Sequence, residues 1–235
     1  MDVTYIAHSG FSVETENHHL IFDYYRGTLE IPDDDKTVIF FVSHFHEDHY
    51  NPAIYEHAGR HDTYYVLSSE INNAPSDASV TSVSPDAEYD VGGAHIMTLR
   101  STDCGVAYLV TVDGKTIYHA GDLHLWIWGG RSGLRNKLVE MKFRAEIDKL
   151  RGVPIDIAFL PLDPRQGPDG TLGFDYVMRT LDVKFAFPMH FWERPEYVAM
   201  FCKSPDVISY REKIVPLTKE GKKITLPPAD CVNGG

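Results

Sequence analysis

The chain has 235 residues, 43% of them hydrophobic and 24% charged, the size and make-up of a single soluble α/β domain, expected to run over 1–235. Its 34 acidic against 22 basic side chains leave a formal charge of −12 with no dense Lys/Arg tract, which argues against a nucleic-acid surface and against an anionic membrane. No apolar run reaches bilayer length, and Met1-Asp2-Val3-Thr4 offers neither a basic region nor an apolar signal core, so a mature cytoplasmic protein is expected.

In chain order, residues 2–7, 11–16 and 19–23 alternate or run apolar between turn residues and predict an antiparallel meander. His8, beside a glycine turn, reads as structural. His18 and His19 read as a solvated hairpin tip, and Asp23 as the end of the third strand. The run Val38-Ile39-Phe40-Phe41-Val42 predicts a buried strand. It feeds directly into Ser43-His44-Phe45-His46-Glu47-Asp48-His49, a cluster of the ligand types that zinc and similar metals take. Side chains two apart on an extended segment point the same way, so His44 and His46 suit one ion. Asp48 and His49 come where the chain turns and suit a second ion nearby.

Asn51-Pro52 is a helix start, with a cap residue before proline, and the helix is expected to end near Gly59. Strands are predicted at 63–67, 79–83, 94–100, 106–112 and 115–119, with Asp113-Gly114 as a hairpin turn. Asp122 follows the last of these, and Leu123–Gly130 carries Trp126 and Trp128, which suit either a substrate wall or a packing contact, including one between copies of the chain. Residues 134–150 predict a charged amphipathic helix with Leu134, Leu138, Met141, Ala145 and Leu150 near one face. A buried strand at 155–160 leads to Asp163 and Arg165, which either orient a substrate or pair with each other. A helix at 172–181 and a strand at 184–187 precede His190 and Trp192; a helix, closing strands and a loose tail complete the chain. Three widely spaced cysteines, Cys104, Cys202 and Cys231, fit no zinc-ribbon or disulfide framework.

The opening Tyr5-Ile6-Ala7-His8-Ser9-Gly10-Phe11, the His-x-His-x-Asp-His run at 44–49, Gly121-Asp122 and Met189-His190 follow one another in an order that resembles the metallo-β-lactamase fold superfamily of metal-dependent hydrolases. The likeness runs to about Trp192, and its closest flavour is the compact branch of sugar-phosphate lactonase-like proteins. It implies a four-layer αβ/βα sandwich of two mixed β-sheets flanked by helices. It also implies Asp122 as a carboxylate bridging two metals, His190 as the last ligand, and Asp23 supporting the metal loop from behind. The family usually supplies one further histidine between the first cluster and Asp122. Here Leu99–Gly105 has none, so Asp103 is the expected substitute, with His124 and, less so, His119 as rivals.

The expected ligands are therefore His44, His46, Asp103 and Asp122 at one position and Asp48, His49, Asp122 and His190 at the other. Two divalent ions are implied, zinc first and Mn²⁺ or Fe²⁺ as alternatives. The resemblance implies hydrolysis of a small ester, lactone, amide or phosphodiester by a metal-bound hydroxide, with Asp48 as proton acceptor. Trp126, Trp128, Asp163, Arg165 and Trp192 are candidates to contact the substrate. A metal-binding scaffold or sensor without turnover is the competing reading.

Overall fold

The computed structural model describes residues 1–60, 62–130 and 132–227; Cys231 and the expected tail lie outside them. Two mixed sheets form its frame. The first carries β1 (Asp2–Ala7), β2 (Gly10–Glu14), β3 (His18–Phe22), β4 (Thr37–Val42), β5 (Thr63–Ser68) and β6 (Val80–Val83) in sequence order, with β13 (Lys223–Thr225) beyond β1. β1 to β3 pair antiparallel, whereas β3 to β6 run parallel. The second sheet places β7 (Glu88–Val91), β8 (Ala94–Arg100), β9 (Val106–Val112), β10 (Lys115–His119), β11 (Pro154–Pro161) and β12 (Asp182–Met189) side by side. Its β7 to β10 are antiparallel and its β10 to β12 parallel. Helices α1 (Gly133–Asp148), α2 (Leu172–Thr180) and α3 (Pro195–Lys203) flank the sheets.

β4 shows why its sequence is apolar without interruption. Ile39 and Phe41 enter the core between the sheets, where Phe41 stacks on Phe22 at 4.7 Å and meets Tyr108 of the other sheet at 5.3 Å. Val38, Phe40 and Val42 enter a second cluster on the outer side with Ile54 and Tyr65. A strand buried on both faces has no solvent side on which polar residues could alternate.

Several expectations need correction. The helix expected from Asn51 is a 3₁₀ turn, Pro52–His57, although Asn51 caps it by accepting from Ala53 N at 2.9 Å. β7 was unexpected: its alternation carries charged residues and only Val91 is buried. In α1 the buried residues are Phe143 and Ile147, while Leu134, Leu138 and Met141 are 80%, 51% and 62% exposed. His18 and His19 are buried rather than solvated, because each meets a carboxylate at 2.9 Å, Asp113 and Asp34 respectively. Asp113, at the β9–β10 turn, also accepts from Thr15 Oγ1 and Asn17 N, so this hairpin tip ties the two sheets together.

Candidate metal centre

The C-terminal ends of β4, β10, β11 and β12 and the β1–β2 turn meet at one edge of the sandwich, and the expected cluster gathers there. His44 Nε2 lies 2.9 Å from His46 Nδ1 and 3.5 Å from Asp122 Oδ2. The other oxygen of Asp122, Oδ1, is 3.3 Å from His49 Nε2 and 3.4 Å from His190 Nε2. One carboxylate therefore divides its two oxygens between two histidine groups. Asp48 Oδ2 stands 3.9 Å from His190 Nε2 and 3.4 Å from His8 Nε2. The ligand atoms of His8, Asp48, His49 and His190 lie within 4.8 Å of one another, as do those of His44, His46 and Asp122.

Close backbone packing makes this convergence attainable. Val106 N donates to Ser43 O across the two sheets at 3.0 Å. A Cβ at Gly105 would fall 2.0 Å from that same oxygen, and one at Gly121, whose φ is +49°, would fall 2.7 Å from Ser43 Cβ. Only glycine fits at such positions. His8, Asp23 and His190 themselves adopt φ of 53°, 43° and 62°, sparsely populated conformations that tend to gather at functional sites.

Behind the ligands, oxygen partners fix which imidazole nitrogen faces inward. His49 Nδ1 donates to Asp23 Oδ2 at 2.7 Å, and His190 Nδ1 to Asp163 Oδ2 at 2.9 Å. His44 Nδ1 lies 3.0 Å from Ser43 Oγ, which in turn donates to Asp23 at 2.7 Å. In all three rings Nδ1 is engaged and Nε2 is presented to Asp122, the arrangement by which outer partners orient metal-ligating histidines. His49 Nε2, Asp122 Oδ1 and His8 Nε2 are buried without a hydrogen bond. Buried polar atoms are rarely left so, and three of them within this His/Asp cluster fit a centre for divalent cations.

The charges agree. Burial would raise the Asp122 carboxyl, but His49, His190 and His44 hold it well below the carboxylate range. Burial likewise opposes ionisation of Asp48, and His8, His49 and His190 outweigh it. Burial also disfavours a charged His49, yet Asp122 and Asp23 raise that imidazole well above its ordinary value. His44 and His8 are pushed down to about 4, chiefly by burial.

Other expected residues fall in distinct places. Asp103 is exposed and approaches through His46, forming with His46 and Cys104 a separate trio of ligand atoms within 4.8 Å of one another. The rival histidines are engaged elsewhere. His119 Nε2 donates to Ser9 O at 2.9 Å while its Nδ1 accepts from Gly121 N at 3.1 Å. His124 Nε2 is 3.0 Å from Gln166 Oε1 in a buried pair. Trp126 and Trp128 stack in parallel 6.1 Å apart and, with Asp103 and Arg165, border a cleft of about 270 Å³ over His46, Asp48 and Asp122. The same stretch also packs on α1, since Asn136 Nδ2 donates to Trp128 O at 3.2 Å. Asp163 and Trp192 are not among the residues lining that cleft: Asp163 is fully buried, whereas Trp192 is 38% exposed, packs on Arg165 and donates through Nε1 to Asp163 at 3.2 Å. Sequence reasoning set His8 aside, although it is a polar residue directly after a buried strand; of the two readings left open for Asp163 and Arg165, the structure shows the pair, with Nη2 of Arg165 2.6 Å from Oδ2 of Asp163.

Two face-to-face mixed sheets with a His/Asp cluster at one edge define a metallo-β-lactamase fold. The family model of the Beta-lactamase superfamily domain matches residues 2–127, just over half of the chain, and the chain belongs to that superfamily. The match includes every cluster residue from His8 to Asp122 and ends before His190. The UPF0173 metal-dependent hydrolase YtkL of Bacillus subtilis is 27% identical, over 81% of this chain and 86% of that protein. A UPF0173 metal-dependent hydrolase of Pyrococcus furiosus is 27% identical over 95% of this chain and 99% of its own length. Among solved structures, Igni18, a metallo hydrolase of Ignicoccus hospitalis, shares the fold with a TM-score of 0.67 at 18% identity, covering 96% of this chain and 98% of that one.

Proposed function

We propose that this chain is a metal-dependent hydrolase of a small ester, lactone, amide or phosphodiester, built for two divalent ions, zinc foremost and Mn²⁺ or Fe²⁺ as alternatives. The observation that carries the reading is the division of the Asp122 oxygens between two groups of inward-facing Nε2 atoms. His44, His46 and Asp122 would hold one ion, with Asp103 approaching through His46. Asp48, His49, Asp122 and His190 would hold the other, with His8 beside them. Such ions supply a water acidic enough to be a nucleophile near neutral pH and polarise the scissile carbonyl or phosphoryl oxygen.

The protein's own groups do the rest. Asp48, kept ionised by the surrounding imidazoles, is placed to take the nucleophile's proton at Oδ2 and pass it to the leaving group. His8, 3.4 Å from that oxygen, is held neutral by burial, so it does not discharge Asp48. The Trp126–Trp128 wall covers one side of the cleft and limits water there.

The test is turnover of a panel of esters, lactones, amides and phosphodiesters before and after chelation, with metals per chain measured by elemental analysis. Activity lost on chelation and restored by Zn²⁺ or Mn²⁺, at about two ions per chain, supports the reading. Activity that persists in metal-free protein overturns it. No turnover on any substrate with both ions loaded would favour a metal-binding scaffold instead.

A further inference from the structure

The cleft over the cluster holds one feature that metal chemistry leaves unused. Among the described residues lining it, Arg165 is the sole lysine or arginine, in a chain whose net charge is −12. Its side chain is 47% exposed, and its Nε and Nη2 donate to the buried Asp163 carboxylate at 3.0 and 2.6 Å. Its guanidinium carbon lies 4.3 Å from the Trp192 ring centroid and 5.9 Å from that of Trp128. Asp163 is fixed in turn by His190 Nδ1 and Trp192 Nε1. An arginine carries five N–H donors in a rigid fork. The pair with Asp163 engages Nε and one edge of Nη2, whereas Nη1 makes no hydrogen bond to a described residue.

We infer that Arg165 forms an oxyanion subsite, and that the substrate carries a carboxylate or phosphate group away from its scissile bond. The physical case has three parts. The guanidinium is already held by an ion pair and an aromatic face, so little side-chain entropy is lost when a ligand docks. Its unused donors suit bidentate recognition of an oxyanion. Asp163 accepts from five donor atoms at once, the backbone N of Arg165 among them, so its charge is shared and does not cancel that of Arg165 alone. Among the described residues, histidines aside, the other acidic or basic side chains lining the cleft are Asp48, Asp103 and Asp122. The inference rests on the proposed metal-dependent reading and adds a substrate class to it.

The experiment compares paired probes on zinc-loaded protein by calorimetric titration. Each pair shares a hydroxamate that chelates metal; one member ends in carboxylate or phosphonate, the other in methyl, over chains of two to five methylenes. The preference for the charged member should reach about tenfold at one chain length, the ratio expected of a single added charge-assisted hydrogen-bonded pair. Arg165→Gln should bring that ratio close to one, and Arg165→Lys should retain part of it. Because both members share the metal-binding head, the ratio is insensitive to general damage at the ions. Whichever terminus shows the larger preference identifies the anion. No preference at any length, or a preference intact in Arg165→Gln, overturns the subsite and leaves the hydrolase reading standing. If the methyl-ended probes fail to bind at all, the metal reading fails and the subsite falls with it.

Discussion

Replacing Asp23 by asparagine should weaken metal binding about 10- to 100-fold while the protein stays folded. Asp23 has φ of 43°, which asparagine tolerates almost as well as aspartate. Its Oδ1 accepts from Ser43 N at 2.7 Å, and an asparagine oxygen keeps that bond. The loss falls on Oδ2, which accepts from Ser43 Oγ and from His49 Nδ1, both at 2.7 Å. An amide nitrogen there faces two donors. His49 must then move its proton to Nε2, withholding the lone pair from the ion, or let its ring swing free. A charge-assisted hydrogen bond contributes about 1.5–3 kcal/mol, and 1.4 kcal/mol is about tenfold in affinity, so the range follows. The assay is competition for Zn²⁺ against a chromophoric chelator, with thermal melting in chelator to show that the metal-free variant keeps its fold. Affinity within twofold of the parent would refute the claim that Asp23 sets the tautomer of His49.

Three further expectations follow from the same structure. His8→Ala should lower affinity at the position shared by Asp48, His49 and His190 about tenfold and spare the other; equal loss of both ions, seen in metal titration, contradicts the placement of His8. His124→Ala should lower the melting temperature by breaking the buried pair with Gln166 yet leave metals per chain unchanged, and a drop in metal content would reinstate His124 as a ligand. Asp113 carries the pH dependence of the inter-sheet tie. Burial raises its carboxyl, but hydrogen bonds from Thr15, Asn17 and His18 bring it below the carboxylate range. Its stabilisation is therefore fully present above the unfolded carboxylate value of about 3.9 and is lost as pH falls through the lower folded value. Asp113→Ala should cost about 2–3 kcal/mol at neutral pH and flatten the acid limb of a melting-temperature profile; an acid limb identical to the parent's would sink this assignment.

Legibility followed locality. β4 declared itself through an apolar run buried on both faces, and His44, His46 and His49 through spacing within one loop. Asp122 and His190 were legible as polar residues at strand ends, set in order by the resemblance to a family. His8 was not, because its neighbour in space, Asp48, lies far away in sequence and meets it only once β1 and β4 share a sheet; Asp163 was legible in its pairing with Arg165 but not in its hold on His190, which follows the neighbouring strand β12. Helix periodicity misled in α1, where Leu134, Leu138 and Met141 share a stripe but only the later turns, through Phe143 and Ile147, press on the core. Histidines 18 and 19 read as solvated because nothing local announces that Asp113 and Asp34 will close over them.

The division of Asp122 between two histidine groups also bears on how the centre is assembled. His44, His46 and His49 follow β4 of the first sheet, whereas Asp122 and His190 follow β10 and β12 of the second. Any ion held by His49, Asp122 and His190 would thus rivet one sheet to the other. An ion that binds only this native arrangement stabilises it in proportion to the logarithm of its free concentration. The last rivet point, His190, comes after α1, α2 and all six strands of the second sheet have been laid down, so full ion capture would wait for nearly the whole sandwich. Metal loading then serves as a report on completed folding as much as on chemistry.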